Sequence, residues 1–228
     1  MKLPWPTRHT PIARIGNLHP LSVHLHTPDS SLQRQSVEQF IHSRFATHYG
    51  ADVRQFMPFL LEMRGNEGKI HGAAGIRRAS QPLFLERYLD TPIEQLIANS
   101  CDLPVIRGNI VEIGNLAALG AASARFLIIA LTRLLAELDY HWVAFTGTPT
   151  LINSFGRLNL DLIPLMPADR QRMGHELAGW GSYYDCNPWV MAIDARQAHL
   201  RLQQQNLYES SRYQSMASQQ EARNASCC

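Results

Sequence analysis

An acidic side chain interrupts the apolar run Val111-Glu112-Ile113. In an extended segment Val111 and Ile113 share one face, which sends Glu112 to the other with Ile110 and Gly114. A carboxylate so placed is either solvated on a sheet face or set in a pocket, where burial raises its affinity for a proton. A pocketed carboxylate suits general-base work, and the same group paired with a cation is structural. Thr146-Gly147-Thr148 follows the apolar run from Trp142 to Phe145. Its hydroxyls and the Gly147 backbone therefore stand at the carboxyl end of a strand, a common place for ligands. Thr148 is equally well placed to cap the next helix. The segment Trp180-Gly-Ser-Tyr183-Tyr184 joins bulky rings to phenols. A phenol within hydrogen-bond reach of a leaving group can donate a proton to it, and buried phenols often satisfy their hydroxyls on backbone carbonyls instead.

Other chemistries lack an anchor. The ten histidines include His19, His24 and His26 near the amino end, and His42 and His48 six apart on a helix. No H-E-x-x-H and no Cys/His pair at zinc spacing is present, so we expect no metal site. No G-x-S-x-G is present to support a serine-hydrolase reading.

These groups need elements to position them. Residues 1–33, rich in Pro, His and Thr and without a period, read as an irregular arm. From Ser36 to Tyr49 the residues Val37, Phe40, Ile41 and Phe45 recur at helical spacing and Gly50 follows as a stop. Phe56 to Met63 and Lys69 to Ala79 flank the turn residues of 64–68 and predict a hairpin. Thr91 and Pro92 look like the cap and first residue of a helix running to Ala98. A strand from Ile106 to Leu116 is followed by a helix from about Ala121 to Leu138, apolar on most faces and so sandwiched between layers. His141 to Phe145 reads as a buried strand, Thr148 to Arg157 as a short helix, and Leu162 to Met166 and Trp189 to Ile193 as further strands. The alternation predicts an α/β (α+β) domain over 34–195, with a mixed sheet and helices on both faces. Gln, Ser, Ala and Arg dominate 196–228, which reads as a frayed helix and a flexible tail; terminal Cys227 and Cys228 read as incidental rather than as a lipidation signal.

Composition narrows the function classes. The 228 residues are 45% hydrophobic and 18% charged, and 21 Lys+Arg against 19 Asp+Glu leave a net charge of +2. That excludes a highly charged disordered chain and gives no support to a strongly cationic binder of nucleic acid or membrane surfaces. Four cysteines without a C-x-x-C framework favour a reducing compartment. The first thirty residues carry five prolines and four histidines but no signal-peptide core, and no apolar run reaches the roughly 18 residues of a membrane span. The expected location is the cytoplasm.

The block from Arg107 to Asp194 resembles the thermostable hemolysin family of bacterial proteins. Behind it stands the GCN5-related N-acyltransferase (GNAT) fold as used by acyl-homoserine-lactone synthases. The resemblance is carried by IVEIGNLAA (110–118), WVAFTGTPTLINSFGRLNL (142–160), PLMPAD (164–169) and WGSYY (180–184), and continues upstream through RFATHYGADV (44–53), GAAGIRRA (72–79) and LFLERYLDTPIE (83–94). It implies a pocket between two splayed central strands, where an acyl thioester is held and an amine attacks its carbonyl. Glu112 matches the glutamate that serves many such enzymes as base. In the lactone synthases an arginine follows three positions later, where this chain has Asn115, a departure that puts their acceptor, S-adenosylmethionine, in doubt here.

The resemblance also places coenzyme A on a glycine-rich loop at a helix start. Here Gly120 and Ala122 remain, but the leading Arg or Gln is missing. Small residues there also simply let helix and strand approach, and a degenerate loop is what an acyl-carrier-protein donor would permit. Asn153 would meet the pantetheine arm and Arg157 a phosphate or an acidic carrier surface, unless Arg157 is merely a solvated cation. Arg77 matches a synthase arginine near the substrate, Arg44 borders the acceptor cleft from the first helix, and Tyr183 or Tyr184 would protonate the departing thiolate. The implied activity is acyl transfer, of a fatty acyl group rather than acetyl, from an acyl-CoA or acyl-carrier-protein thioester to a small amine, by a monomer or homodimer. The rivals are a membrane-damaging protein, as the family name suggests, and a non-catalytic ligand-binding relative.

Overall fold

The fold is that of a computed structural model, described over residues 10–29 and 31–216. In chain order it runs β1 (Ala13–Ile15), β2 (Leu21–His26), α1 (Ser31–Tyr49), β3 (Phe59–Arg64), β4 (Ile70–Arg78), α2 (Ile93–Cys101), β5 (Ile110–Ala118), α3 (Ala121–Glu137), β6 (Trp142–Gly147), α4 (Pro149–Gly156), β7 (Ile163–Pro167), β8 (Trp189–Asp194), α5 (Ala195–Gln204), α6 (Leu207–Ser210) and β9 (Gln214–Ser215). The strands form one sheet in the order β7-β8-β6-β5-β4-β3-β2-β1-β9. Every neighbouring pair is antiparallel except the central β5 and β6. The expected mixed sheet with helices on both faces is observed, and the predicted hairpin is β3–β4.

Each face carries its own core. Val111, Ile113, Val143 and Phe145 pack with α3 and α5 on one side, and Ile110, Ala144, Ala73 and Leu60 pack with α1 and α2 on the other. The apolar α3 buries eight of its residues, Leu127 to Thr132 with Leu134 and Leu135, between the sheet and α5. Burying each such Leu or Ile contributes roughly 1.5–3 kcal/mol. α1 buries Val37, Ile41 and Phe45, as their spacing requires.

The ends depart from expectation. Residues 1–33 are not an irregular arm in their described part, because β1 and β2 extend the sheet. Leu21, Val23 and Leu25 do alternate, but the intervening Ser22, His24 and His26 masked that period, and His26 is buried against Glu62. Nor is 196–216 loose. Asp194 caps α5 by accepting the N–H groups of Arg196 and Gln197, both at 2.9 Å, and Ala195, Ala198 and Leu202 are buried. Farther on, β9 pairs with β1. The unit thus spans both predicted boundaries. Cys227 and Cys228 lie outside the described residues.

The central strands separate. Pairing of β5 with β6 ends at Ile113 and Phe145, although the strands continue to Ala118 and Gly147. Just beyond the last pair Asn115 adopts a left-handed backbone, φ 49°, a conformation Asn tolerates better than most side-chain-bearing residues. The register of β5 against β4 shifts at the same level, between Ala73 and Gly75. A bulge of this kind bends its strand and increases local twist.

Candidate active site

A cavity of about 860 Å³ occupies the opening between β5 and β6. Its lining comes from both cores, so it passes from one face of the sheet to the other. On the α3 side Ile128, Leu131, Leu135, Phe145 and Phe155 make an apolar arm, closed toward α5 by Ala195 and Ala198. On the α1 side Phe45, Tyr49, Phe84, Trp180 and Tyr183 make an aromatic one that also contains Glu112 and the arginines Arg44, Arg54 and Arg77. The volume lies within the range of ligand pockets, roughly 300–1,000 Å³.

Glu112 is 2% exposed. Its Oε2 accepts the Phe84 N–H at 2.8 Å and its Oε1 the Leu85 N–H at 2.9 Å. Both donors belong to a 3-10 turn, Phe84–Tyr88. Burial pushes the carboxyl up to about 7, against the opposing pull of those two N–H groups and of the Arg77 charge. The turn is braced from outside. Arg107 reaches Glu86 through Nη1 at 2.5 Å and Nη2 at 2.8 Å, Glu94 at 2.8 Å, and the Ala79 carbonyl at 2.8 Å. That pairing holds the Glu86 carboxyl below the usual range, with burial opposing.

Arg77 pairs across the β4–β5 ladder with Glu112, lines the cavity and donates to the Pro82 carbonyl at 3.3 Å. Arg78 points to the other face and lies 5.1 Å over the Phe59 ring. Arg44 reaches the cavity from α1, and its Nε is buried without a hydrogen-bond partner among the described residues. Asn115 lines the opening, but its amide is engaged: Oδ1 accepts the Met57 N–H at 2.9 Å and Nδ2 donates to the Gln55 carbonyl at 3.2 Å. It thereby pins the segment 51–58 across the cavity.

The Tyr183 hydroxyl faces the Thr146 carbonyl at 3.4 Å, and burial pushes its phenol well above the ordinary value, so it stays protonated. Tyr184 does not reach the cavity. Its hydroxyl pairs with that of Tyr88 at 2.5 Å and lies behind the site. Thr146 and Thr148 line the cavity at the end of β6, and the Thr148 side chain does not cap α4. Gly147 does not line it. A Cβ there would stand 2.8 Å from the Phe145 ring, which stacks on Phe155 at 5.0 Å and closes the apolar arm. Gly120 sits at the mouth as the N-cap of α3 with no side-chain cap, whereas Ala122 faces outward. Asn153 and Arg157 stand exposed on and just after α4 at the same mouth.

The structure therefore gathers Glu112, Tyr183, Arg44, Arg77, Asn115, Thr146, Thr148, Gly120, Asn153 and Arg157 around one cavity. It leaves Tyr184, Ala122 and Gly147 off its wall. Sequence reasoning missed the amides of Phe84 and Leu85, which carry no side-chain signal, and the strap 51–58. It also missed the α5 alanines, hidden by the polar composition of the tail.

A model of the thermostable hemolysin family matches residues 27–199. Among solved structures, TofI in an apo form superposes with a TM-score of 0.56 at 16% identity, covering 80% of this chain and 96% of that one. FeeM, an N-acyl amino acid synthase from uncultured soil microbes, gives 0.54 at 12% identity over 79% and 95%. BjaI, a CoA-dependent acyl-homoserine lactone synthase with SAM and isopentyl-CoA, gives 0.53 at 14% identity over 81% and 89%. At such identities the likeness establishes a shared fold. No curated protein matches significantly.

Proposed function

The chain belongs to the thermostable hemolysin family, and we propose that it transfers an acyl group, of fatty acyl length, from a thioester to a small amine. The single observation that carries this reading is the position of Glu112: a buried carboxylate, held by neutral N–H groups, facing a cavity that opens between two central strands. A buried acid pushed up to about 7 is half-ionised near neutrality and suits proton abstraction there. Arranged along the cavity, the apolar α3 arm would take the acyl chain and the aromatic α1 arm the amine, bringing nitrogen and carbonyl carbon together at the opening.

Attack forms the C–N bond, Glu112 takes the amine proton, and the tetrahedral adduct collapses with loss of the C–S bond. The Tyr183 phenol is the nearest candidate to return a proton to the thiolate. The donor is the thioester of coenzyme A or of an acyl carrier protein. The uncapped start of α3 at Gly120 presents N–H groups at the mouth that suit a pyrophosphate. Exposed Asn153 and Arg157 suit the pantetheine arm and a phosphate or an acidic carrier surface. A cytoplasmic site of action goes with such donors. Among the described residues no helix is long and apolar enough to cross a membrane.

The test is purified full-length chain, radiolabelled acyl thioesters and a pool of amines. Labelled amide that disappears in Glu112→Gln is expected. Transfer unchanged in Glu112→Gln would overturn the base assignment. Dye release from liposomes without any thioester, with no amide formed, would overturn the enzyme reading in favour of membrane damage.

A further inference from the structure

The charges around the α1 arm of the cavity do not balance. Asp52 is neutralised by Arg54 at 2.7 Å and also meets the His42 ring at 2.9 Å, and Glu176 is neutralised by Arg87 at 3.0 Å. Glu112 is bound by N–H groups and is not paired with a cation. Arg77 spends one donor on the Pro82 carbonyl. Arg44 has no hydrogen bond, ion pair or ring contact among the described residues, and its Nε is buried. A guanidinium has five donors in a rigid fork matched to a carboxylate, and leaving one shielded from water without a partner is unfavourable unless a ligand completes it. In the same arm of the cavity Phe45 packs with Trp180 at 6.4 Å and Tyr183 at 6.3 Å, and Phe84 meets Trp180 at 5.9 Å. The guanidinium and this wall of rings line one cavity.

We infer that the acceptor is an amine bearing a carboxylate, which Arg44 anchors, with a large apolar or aromatic body against the ring wall: in chemical class, an α-amino acid of that kind. The inference rests on the acyl-transfer reading of the same site. It has a chemical corollary. Surplus positive charge lowers the proton affinity of an incoming ammonium, so the nucleophilic free amine is easier to reach, and cationic acceptors such as polyamines are disfavoured. The balanced step joins the α-nitrogen to the acyl carbon, breaks the C–S bond, passes the amine proton to Glu112 and releases the thiol with a proton.

The test compares ligands that differ by one carboxylate. Phenylalanine and phenethylamine are offered as acceptors with a long-chain acyl thioester. N-decanoyl-phenylalanine and N-decanoyl-phenethylamine are titrated calorimetrically, which needs no turnover. For the wild type we expect the carboxylate form to win by about tenfold or more in kcat/KM and in Kd. In Arg44→Gln that ratio should collapse toward unity, chiefly through KM, and Arg44→Lys should retain part of it. Equal use and equal binding of the two by wild-type protein would overturn the inference whatever the variants do. If neither amine is acylated, the acyl-transfer reading fails; the two decanoyl amides still decide whether the carboxylate site exists.

Discussion

Glu62 on β3 and Glu112 on β5 point to the same face of the sheet and are 1% and 2% exposed. Their surroundings differ in kind. Glu62 meets the His26 imidazole at 2.8 Å on one oxygen and Arg64 on the other, and Arg64 continues to the Gly68 carbonyl and the Ser36 hydroxyl. Burial alone would push its carboxyl up, but those cationic and imidazole partners more than offset it and hold the group below the usual range. Glu112 has equal burial, receives only neutral N–H groups, and is pushed up to about 7. One carboxylate is a permanent anion locked into the lining beneath α1. The other stands at its titration midpoint beside a cavity. Burial by itself does not mark a functional acid; the charge of the partners and the presence of open space do.

Substitution separates the two roles. In Glu112→Gln acyl transfer should fall by about 10²–10⁴, the usual span of a lost general base, as single-turnover amide formation would read. Glu62→Gln should leave the transfer rate per folded molecule near wild type and lower folding stability by about 1–3 kcal/mol, because the buried hydrogen bonds to His26 and Arg64 lose their charged acceptor. Chemical denaturation checks this. A Glu62→Gln protein as stable as wild type would erase the contrast.

Proton linkage gives the two glutamates opposite signs. Glu112 binds its proton more tightly folded than unfolded. Its contribution is therefore fully present below about 4.5 and is lost as pH rises through about 7, an effect of about 3 kcal/mol that Glu112→Gln should flatten in melts across that window. Glu62, depressed, contributes stability above its unfolded value near 4.5 that is lost as pH falls through its lower folded value, so Glu62→Gln should flatten the acid limb instead. Over the same neutral range kcat/KM for acyl transfer should rise through about pH 7 as Glu112 ionises. The smallest effect is expected from Arg107→Gln. Its half-exposed ion pairs contribute only about 1 kcal/mol to stability. Loosening the Phe84–Tyr88 turn should weaken the two N–H bonds and move the pH midpoint of activity upward. A midpoint unmoved by that change would show that the brace does not orient the base.

Much of the site was legible before any fold was known, for reasons that can be named. A lone acid in an apolar strand advertises itself, since carboxylates are rarely left among Val and Ile without a use. The end of β6 is readable from its apolar run, and the small residues before α3 mark a helix start. What stayed hidden depends on partners distant in sequence. Nothing local tells that Glu112 meets the backbone of residues 84 and 85, that Asn115 serves the backbone of 55 and 57 in place of a ligand, or that Tyr184 pairs with Tyr88 behind the cavity. His24 and His26 disguised a strand because one of them is paid for by Glu62, 36 residues away.

The amino-acid order alone determined the elements from α1 to β8, their two-sided amphipathicity and the residue types available for proton transfer, because those follow from side-chain periodicity along one segment. Tertiary structure decided which of two similar glutamates can titrate near neutrality, which arginine is left without a partner among the described residues, and where β5 leaves β6. Each of these depends on dielectric, charge and backbone donors that long-range packing brings together, and no window of sequence contains them.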